Sequence, residues 1–249
     1  MVFTSNLQIP KGVYFAVRAD GHSFHKVGEE FMKPIDPRFV QLMHKVVLGV
    51  SDQFNPSCAY TQSDEISFIF IPDEDQFNRR VEKFVSLIAS SCSSYFSLAS
   101  QMQVEFDARI IYLPNWTDVW DYLMNRQEDC FRNCINSHAL YSVMIEQGLN
   151  TSGATKFLHG YGQEELLEVI LDRKVFIWEK VPDTYKYGAM NRKINYTKVG
   201  YNPKDNELAS VERSQWCMDS APNFALLGPE RLQVFIGLGD YVRCRELKE

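Results

Sequence analysis

At 249 residues with 45% apolar side chains, the chain can fill a sizeable core, which excludes a disordered tail or a small disulfide-stapled module. A formal net charge of −6 excludes indiscriminate coating of nucleic acid, since nonspecific affinity comes from neutralised phosphates, but leaves RNA open as a substrate. The opening residues, MVFTSNLQIPKG, have no basic flank before an apolar run, and no stretch nears the ~18 apolar residues of a membrane span.

An unprocessed chain with no membrane partner is therefore expected. The six cysteines sit among apolar or helical neighbours, which fits a reducing compartment. The cytoplasm is the expected location, or an organelle if the source is eukaryotic. Cys130 and Cys134 fall on one helix face, but a zinc site usually needs a second ligand pair, and none is visible.

In chain order, residues 13–19 (VYFAVRA) are short, apolar and β-rich, predicting a buried strand that ends at Asp20 and Gly21. Asp36-Pro37 opens a helix with Phe39, Leu42, Met43, Val46, Val47 and Val50 on one face, stopped by Asn55-Pro56. Strands at 57–61 and 66–71 follow, joined tightly through 62–65. Pro72 ends that hairpin, and Asp75 is expected to cap a second helix carrying Phe77, Val81, Phe84, Leu87 and Ile88. A fourth strand at 104–113 ends at Pro114.

This order, βαββαβ, is that of the ferredoxin-like α+β unit. Helices at 119–147 and 152–159 and a strand at 174–180 (KVFIWEK) are expected beyond it. Residues 1–115 are read as the catalytic core, and 116–249 as an extension of helices and strands completing one domain. The C-terminal third is less legible.

In this topology the first and third strands are antiparallel neighbours at mid-sheet, so the end of one abuts the start of the other. Asp20 would then meet Asp64 and Glu65. Two ionised carboxylates about 4 Å apart repel by roughly 4 kcal/mol at an effective dielectric near 20, and a divalent cation offsets this. Magnesium prefers one or two carboxylates plus phosphate oxygens, and the backbone approach that Gly21 permits could make its carbonyl a third ligand. Two such ions can serve the attacking hydroxyl and the leaving phosphate. The ordinary alternative is that Asp20 starts a turn and Asp64 caps a hairpin.

Nearby cations suit phosphate: Arg18, Lys33, Arg79, Arg80 and Lys83. The cluster at 79–83 is expected to turn a basic face from the second helix toward a triphosphate, with surface salt bridges as the plainer reading. Residues 185–204 hold Lys186, Arg192, Lys193, Lys198 and Lys204 among four tyrosines with no acid. That mixture fits single-stranded nucleic acid, although a solvated loop would look similar.

Six segments also carry a family resemblance. VRADGHSFHKV from Val17, FMKPIDPR from Phe31, AYTQSDEISFIF from Ala59, FNRRVEKF from Phe77, FDARIIYLP from Phe106 and the pair Arg126-Gln127 follow one another in order. Together they resemble the motifs of the tRNA-histidine guanylyltransferase family of 3′-to-5′ RNA polymerases, over about Tyr14 to Trp178, with the third segment in a form closer to archaeal and bacterial members.

The resemblance implies a polymerase-like palm, a homo-oligomer that is usually a tetramer, and tRNA as partner. It implies that ATP or a 5′ triphosphate activates the tRNA end, and that the 3′ hydroxyl of an incoming nucleotide such as GTP then attacks. Asp20, the Gly21 carbonyl and Asp64 would bind two magnesium ions, with Ser63 and Glu65 in support. Arg18, His22, Ser23, Phe24, His25, Lys33, Ser63, Arg80 and Lys83 would serve the nucleotide. Arg126 and Asn133, with Arg192, Lys193 and Lys198 of the basic stretch, would serve the RNA.

Two departures stand out. Where histidine-tRNA specialists carry His-x-Asn-Asn, this chain has Phe131, Arg132, Asn133 and Cys134. A segment Ile-Asn-Tyr-Asn expected before Trp178 is absent, and Ile194-Asn195-Tyr196 comes after it. Both favour the guanylyltransferase-like branch, which repairs truncated tRNA 5′ ends against the opposite strand. A palm cyclase would explain Asp20 and Asp64 but not the basic tyrosine stretch. A silent RNA-binding palm would have no chemical reason to keep Asp20, Asp64 and Lys33.

Overall fold

The computed structural model describes residues 7–202 and 207–238. Strand β1 (Tyr14–His22) leads through the short helix α1 (Phe24–Val27) to helix α2 (Pro37–Phe54). Strands β2 (Cys58–Gln62) and β3 (Glu65–Phe70) form a hairpin, and α3 (Val81–Ser100) returns to β4 (Glu105–Leu113). The long α4 (Trp116–Gln147), α5 (Thr151–Phe157), α6 (Gln163–Arg173) and α7 (Asp183–Tyr187) precede strands β5 (Ala189–Asn202) and β6 (Glu207–Ser220). Helices α8 (Phe224–Leu227) and α9 (Pro229–Phe235) close the described chain.

One antiparallel sheet runs β4-β1-β3-β2-β5-β6, so the expected βαββαβ unit forms with β1 and β3 side by side. Alternation along β1 divides its residues between two cores. Phe15, Val17 and Ala19 meet Val46, Val50, Phe84 and Ile88 of α2 and α3. Tyr14 and Ala16 face Val119 and Leu123 of α4 with Phe224 and Leu232 of the terminal helices. Every residue of β3 is buried, as expected for a central strand covered on both faces.

Local chemistry sets the helix ends. Asp36 caps α2, accepting from the Arg38 backbone N–H at 2.8 Å and from Met32 N–H at 3.0 Å, with Pro37 in the first turn. The Arg38 guanidinium also grips that carboxylate and holds it well below the usual carboxylate range. An Asn115–Asp118 capping box starts α4, and Gly148 in the left-handed region (φ 63°) ends it.

Three expectations are corrected. Residues 174–180 are not a strand: Lys174, at φ 53°, terminates α6, and Trp178–Lys180 form a single 3₁₀ turn. The helix expected from Asp75 begins only at Val81, because Phe77, Asn78 and Arg79 all take positive φ in the preceding 3₁₀ turn. Arg79 faces inward rather than toward a phosphate. It is 4% exposed, and its five N–H groups reach the carbonyls of Ile9, Pro10, Val13, Pro72 and Glu74 at 2.6–3.1 Å.

The basic stretch is not a loop either. β5 pairs with β2 only through Ala189–Arg192 and then continues with β6 alone as a two-stranded ribbon. Lys204 lies outside the described residues.

Candidate active site

The centre is built where β1 ends and β3 begins. Asp20 stands directly opposite Glu65, and Gly21 N–H donates to the Asp64 carbonyl at 3.2 Å. Ser63 takes a left-handed φ of 49° in the two-residue turn between Gln62 and Glu65, which brings Asp64 to this edge. Gly21 is required sterically: a Cβ there would lie 2.3 Å from the Phe24 ring. That ring is buried against Phe39, Phe96 and Phe106, so Phe24 serves the site as the packed floor beneath the turn.

Burial pushes the Asp64 carboxyl upward, and the Asp20 charge adds to this while the Ser63 hydroxyl opposes it. Glu65 is also raised, chiefly by burial, with Arg126 and Arg18 pulling back. Its Oε2 lies 3.3 Å from Arg126 Nη1 and 3.7 Å from Arg18 Nη1. Arg126 spends its other arm on Asp129 at 2.7 Å, so it is turned into the protein. A half-buried carboxylate pair where the ends of these two strands meet is chemically suited to hold a hard metal ion.

Beside Asp64 opens a cavity of about 340 Å³ between α1, the start of α2, the β2–β3 turn and α4. Of the residues expected to bind nucleotide, Phe24, His25, Lys33 and Ser63 line it, together with Asn133 from α4. Gly28 makes room for the Lys33 side chain, since a Cβ would come within 2.9 Å of Nζ. The Cys130 and Cys134 thiols in its wall are pushed up to about 12 by burial and stay protonated. His44 of α2, which sequence reasoning did not single out, and Asp36, read there only as the start of that helix, also line it.

Other expected residues fall elsewhere. His22 and Ser23 are exposed at the end of β1 and do not line the cavity. Arg80 and Lys83 start α3 at the opposite end of the sheet, where Arg80 bridges to Gln8 and pairs with Glu82 at 3.8 Å. Five residues of extended strand, roughly 16 Å, separate that end from Asp20, so within one chain neither reaches the carboxylates. Arg192 pairs with Asp219 at 3.6 Å and lies over the Phe235 ring, and Lys193 bonds Asn55 and covers Trp216. These two brace the root of the ribbon.

Lys198 is exposed further out, diagonal to Arg213 on the same ribbon face. If the ribbon tracks RNA, Lys198→Ala and Arg213→Ala should each lower the slope of log affinity for tRNA against log salt by about 1. Filter binding from low to moderate salt measures this; an unchanged slope returns the ribbon to plain solvated surface.

A family model described as tRNAHis guanylyltransferase matches residues 2–114. The tRNA(His) guanylyltransferase of Kluyveromyces lactis is 32% identical over 192 residues, which cover 71% of this chain and 81% of that protein. The chain belongs to the tRNA(His) guanylyltransferase family. A mouse protein named as a tRNA(His) guanylyltransferase is 30% identical over 189 residues, and there the chain spans only 63% of the relative's length.

Among solved structures, the Saccharomyces cerevisiae tRNA(His) guanylyltransferase is 27% identical, with a TM-score of 0.69 over 74% of this family member and 87% of that chain. A bacterial guanylyltransferase-like protein in complex with ATP aligns over 94% of this chain and 95% of its own, at a TM-score of 0.73 and 20% identity. That second likeness concerns the fold alone. Within the family frame, FDARIIYLP becomes β4, the strand paired with β1, and Arg126-Gln127 becomes the stretch of α4 that meets Glu65 and the carbonyls of Tyr187 and Pro222.

Proposed function

We infer that the chain is a tRNA 5′-end nucleotidyltransferase, adding nucleotides in the 3′-to-5′ direction after ATP- or GTP-dependent activation of that end. The observation that carries this reading is the abutment of Asp20 and Asp64 beside a cavity lined by Lys33 and His25. The family, and the ATP and GTP complexes of the bacterial relative, support it.

The donor set fits magnesium. The protein's share would be the Asp20 and Asp64 carboxylates, which the β1–β3 pairing brings together, and the Gly21 carbonyl, leaving positions for phosphate oxygens. When bound, such ions would lower the pKa of an attacking hydroxyl and stabilise charge on the leaving phosphate. On this reading Lys33 and His25 hold the triphosphate, and the aromatic wall at Phe24 and Phe39 keeps water from it. Arg18 and Arg126 fix Glu65, which keeps the start of β3 in register with Asp20.

The test is incubation with magnesium, ATP, labelled GTP and a tRNA lacking its first nucleotide. Extension at the 5′ end is expected, and its absence with a folded protein overturns the reading. The family's usual tetramer is part of the proposal, and light scattering of the purified chain measures it.

The guanylyltransferase-like branch is favoured by the surroundings of Phe131. Its ring stacks on Tyr187 at 5.7 Å, nearly parallel, with Trp178 edge-on at 6.1 Å. A phenyl ring packed this way cannot donate a hydrogen bond, so any contact that depends on imidazole is missing. The enzyme should prefer a 5′-truncated tRNA with an unpaired templating nucleotide over full-length tRNA-histidine facing a non-pairing position, by about 10-fold or more in single-turnover rate. Preference for the full-length histidine tRNA would show that the substitution left the family's founding specificity intact.

A further inference from the structure

The α4 wall of the cavity carries two thiols that the nucleotide chemistry does not use. Cys130 and Cys134 lie one helical turn apart, both line the cavity, and both are free. They are 5% and 6% exposed. Cys130 Sγ donates to the Tyr185 carbonyl at 3.5 Å, and Cys134 Sγ lies 3.6 Å from His138 Nδ1. The two are close enough that charge on Cys130 raises Cys134 further. Cys58 and Cys92, fully buried, and Cys217 on β6 do not line the cavity.

The spacing decides what the pair can bind. Residues four apart on a helix hold their Cβ atoms about 5–6 Å apart. A disulfide needs about 3.5–4.5 Å, so direct S–S closure would have to distort α4. An atom placed between the sulfurs adds a second bond to the span and leaves the helix as it is. Burial also disfavours alkylation and disulfide exchange, which proceed through a free thiolate, because both thiols hold their protons. A thiophilic centre that takes both sulfurs and releases both protons fits instead.

We propose that Cys130 and Cys134 form a dithiol site for a trivalent arsenical, and that its occupation closes the cavity to nucleotide. With a monosubstituted arsenous oxide the step is a condensation. Two As–S bonds form, the arsenic–oxygen bond and two S–H bonds break, and the oxygen leaves with both protons as water. No electron is transferred, so a reducing compartment does not oppose it. Once one sulfur is bound the other is held beside it, which raises overall affinity above that of a single thiol by about 10²- to 10⁴-fold. Because both thiols line the cavity, the arsenic and its substituent take up space beside Asn133, Ser137 and Tyr185, which also line it. The closing rests on the reading of this cavity as the nucleotide site; the bridging does not.

The test titrates wild type, Cys130→Ser, Cys134→Ser and the double variant Cys130→Ala/Cys134→Ala with phenylarsine oxide. GTP affinity is measured before and after treatment, so each protein is its own reference, and peptide mass spectrometry locates the arsenic. In wild type, one arsenic per chain should link Cys130 to Cys134 and GTP binding should be lost. A small dithiol should restore it, and a monothiol at the same thiol concentration should not. Each single-serine variant should need about 100-fold more reagent for the same loss. Alanine removes each thiol without adding a polar group, which covers the case in which serine disturbs the fold.

Arsenic found on any other cysteine, a loss of GTP binding that persists in the double variant, or bridging of Cys130 to Cys134 with GTP affinity intact would each overturn the proposal. A chain bridged at these two residues that binds no GTP even untreated would fail the reading of the cavity and leave the dithiol site standing.

Discussion

Asp64→Asn is expected to lower nucleotide addition by about three orders of magnitude or more, in line with the several kcal/mol of charge stabilisation that a lost metal ligand forfeits. The folded protein should be no less stable for it. Asparagine keeps the volume and the turn geometry, and it removes a charge that burial and Asp20 both disfavour.

The sign with pH follows from the same causes. The folded carboxyl holds its proton more tightly than the unfolded one, so the stability gained from the protonated form is complete below the ordinary value of 3.8 and is lost as pH rises through the higher folded value. Asparagine has no proton to lose. The advantage of the variant over wild type in a thermal melt, measured without divalent ions, should therefore grow as pH climbs above 3.8. A folded Asp64→Asn protein that extends tRNA at the wild-type rate would sink the carboxylate centre; a variant melting lower at every pH would sink the repulsion argument.

The core of the site was legible because two periodicities and one turn define it. VYFAVRA and ISFIF read as buried strands, and the antiparallel pairing of β1 with β3 carries Asp20 to Glu65 without further information. The placement of Arg80 and Lys83 went astray for a reason that the same topology contained. β3 runs away from Asp64, so a helix that follows it closely must begin at the far end of the sheet.

KVFIWEK alternates enough to pass for a strand, but Lys174 sits at the left-handed end of α6, and Phe176 and Trp178 pack on His138 of α4. The ribbon was hidden for the opposite reason. Strands solvated on both faces show no apolar alternation, so Lys193 to Tyr201 look like polar loop even though each residue is paired. Nothing in the sequence announced three consecutive positive-φ residues at Phe77, Asn78 and Arg79, because non-glycine side chains rarely take that conformation and none of the three is glycine.

That turn supports the second large expectation. Arg79→Ala should destabilise the protein by about 4 kcal/mol or more, a size reserved for the loss of a buried network. The guanidinium uses all five N–H donors on carbonyls from two separate segments, 9–13 and 72–74, and it lies over the Phe15 ring at 5.1 Å. Truncation leaves those acceptors facing a void, and a buried acceptor without a partner costs about 1–3 kcal/mol, though the five will not add fully. Arg79→Lys retains the charge but brings at most three donors on a stem that cannot fork, so it should recover less than half of the loss.

Urea denaturation of the three proteins at one pH measures both differences. Because Arg79 ties residues 9–13 to the end of β3 remote from Asp20, nucleotide affinity measured well below the melting temperature should stay at the wild-type value. If Arg79→Ala instead kept full stability and lost triphosphate binding, Arg79 would be a phosphate ligand after all, and the inward-facing fork could not be the arrangement in solution.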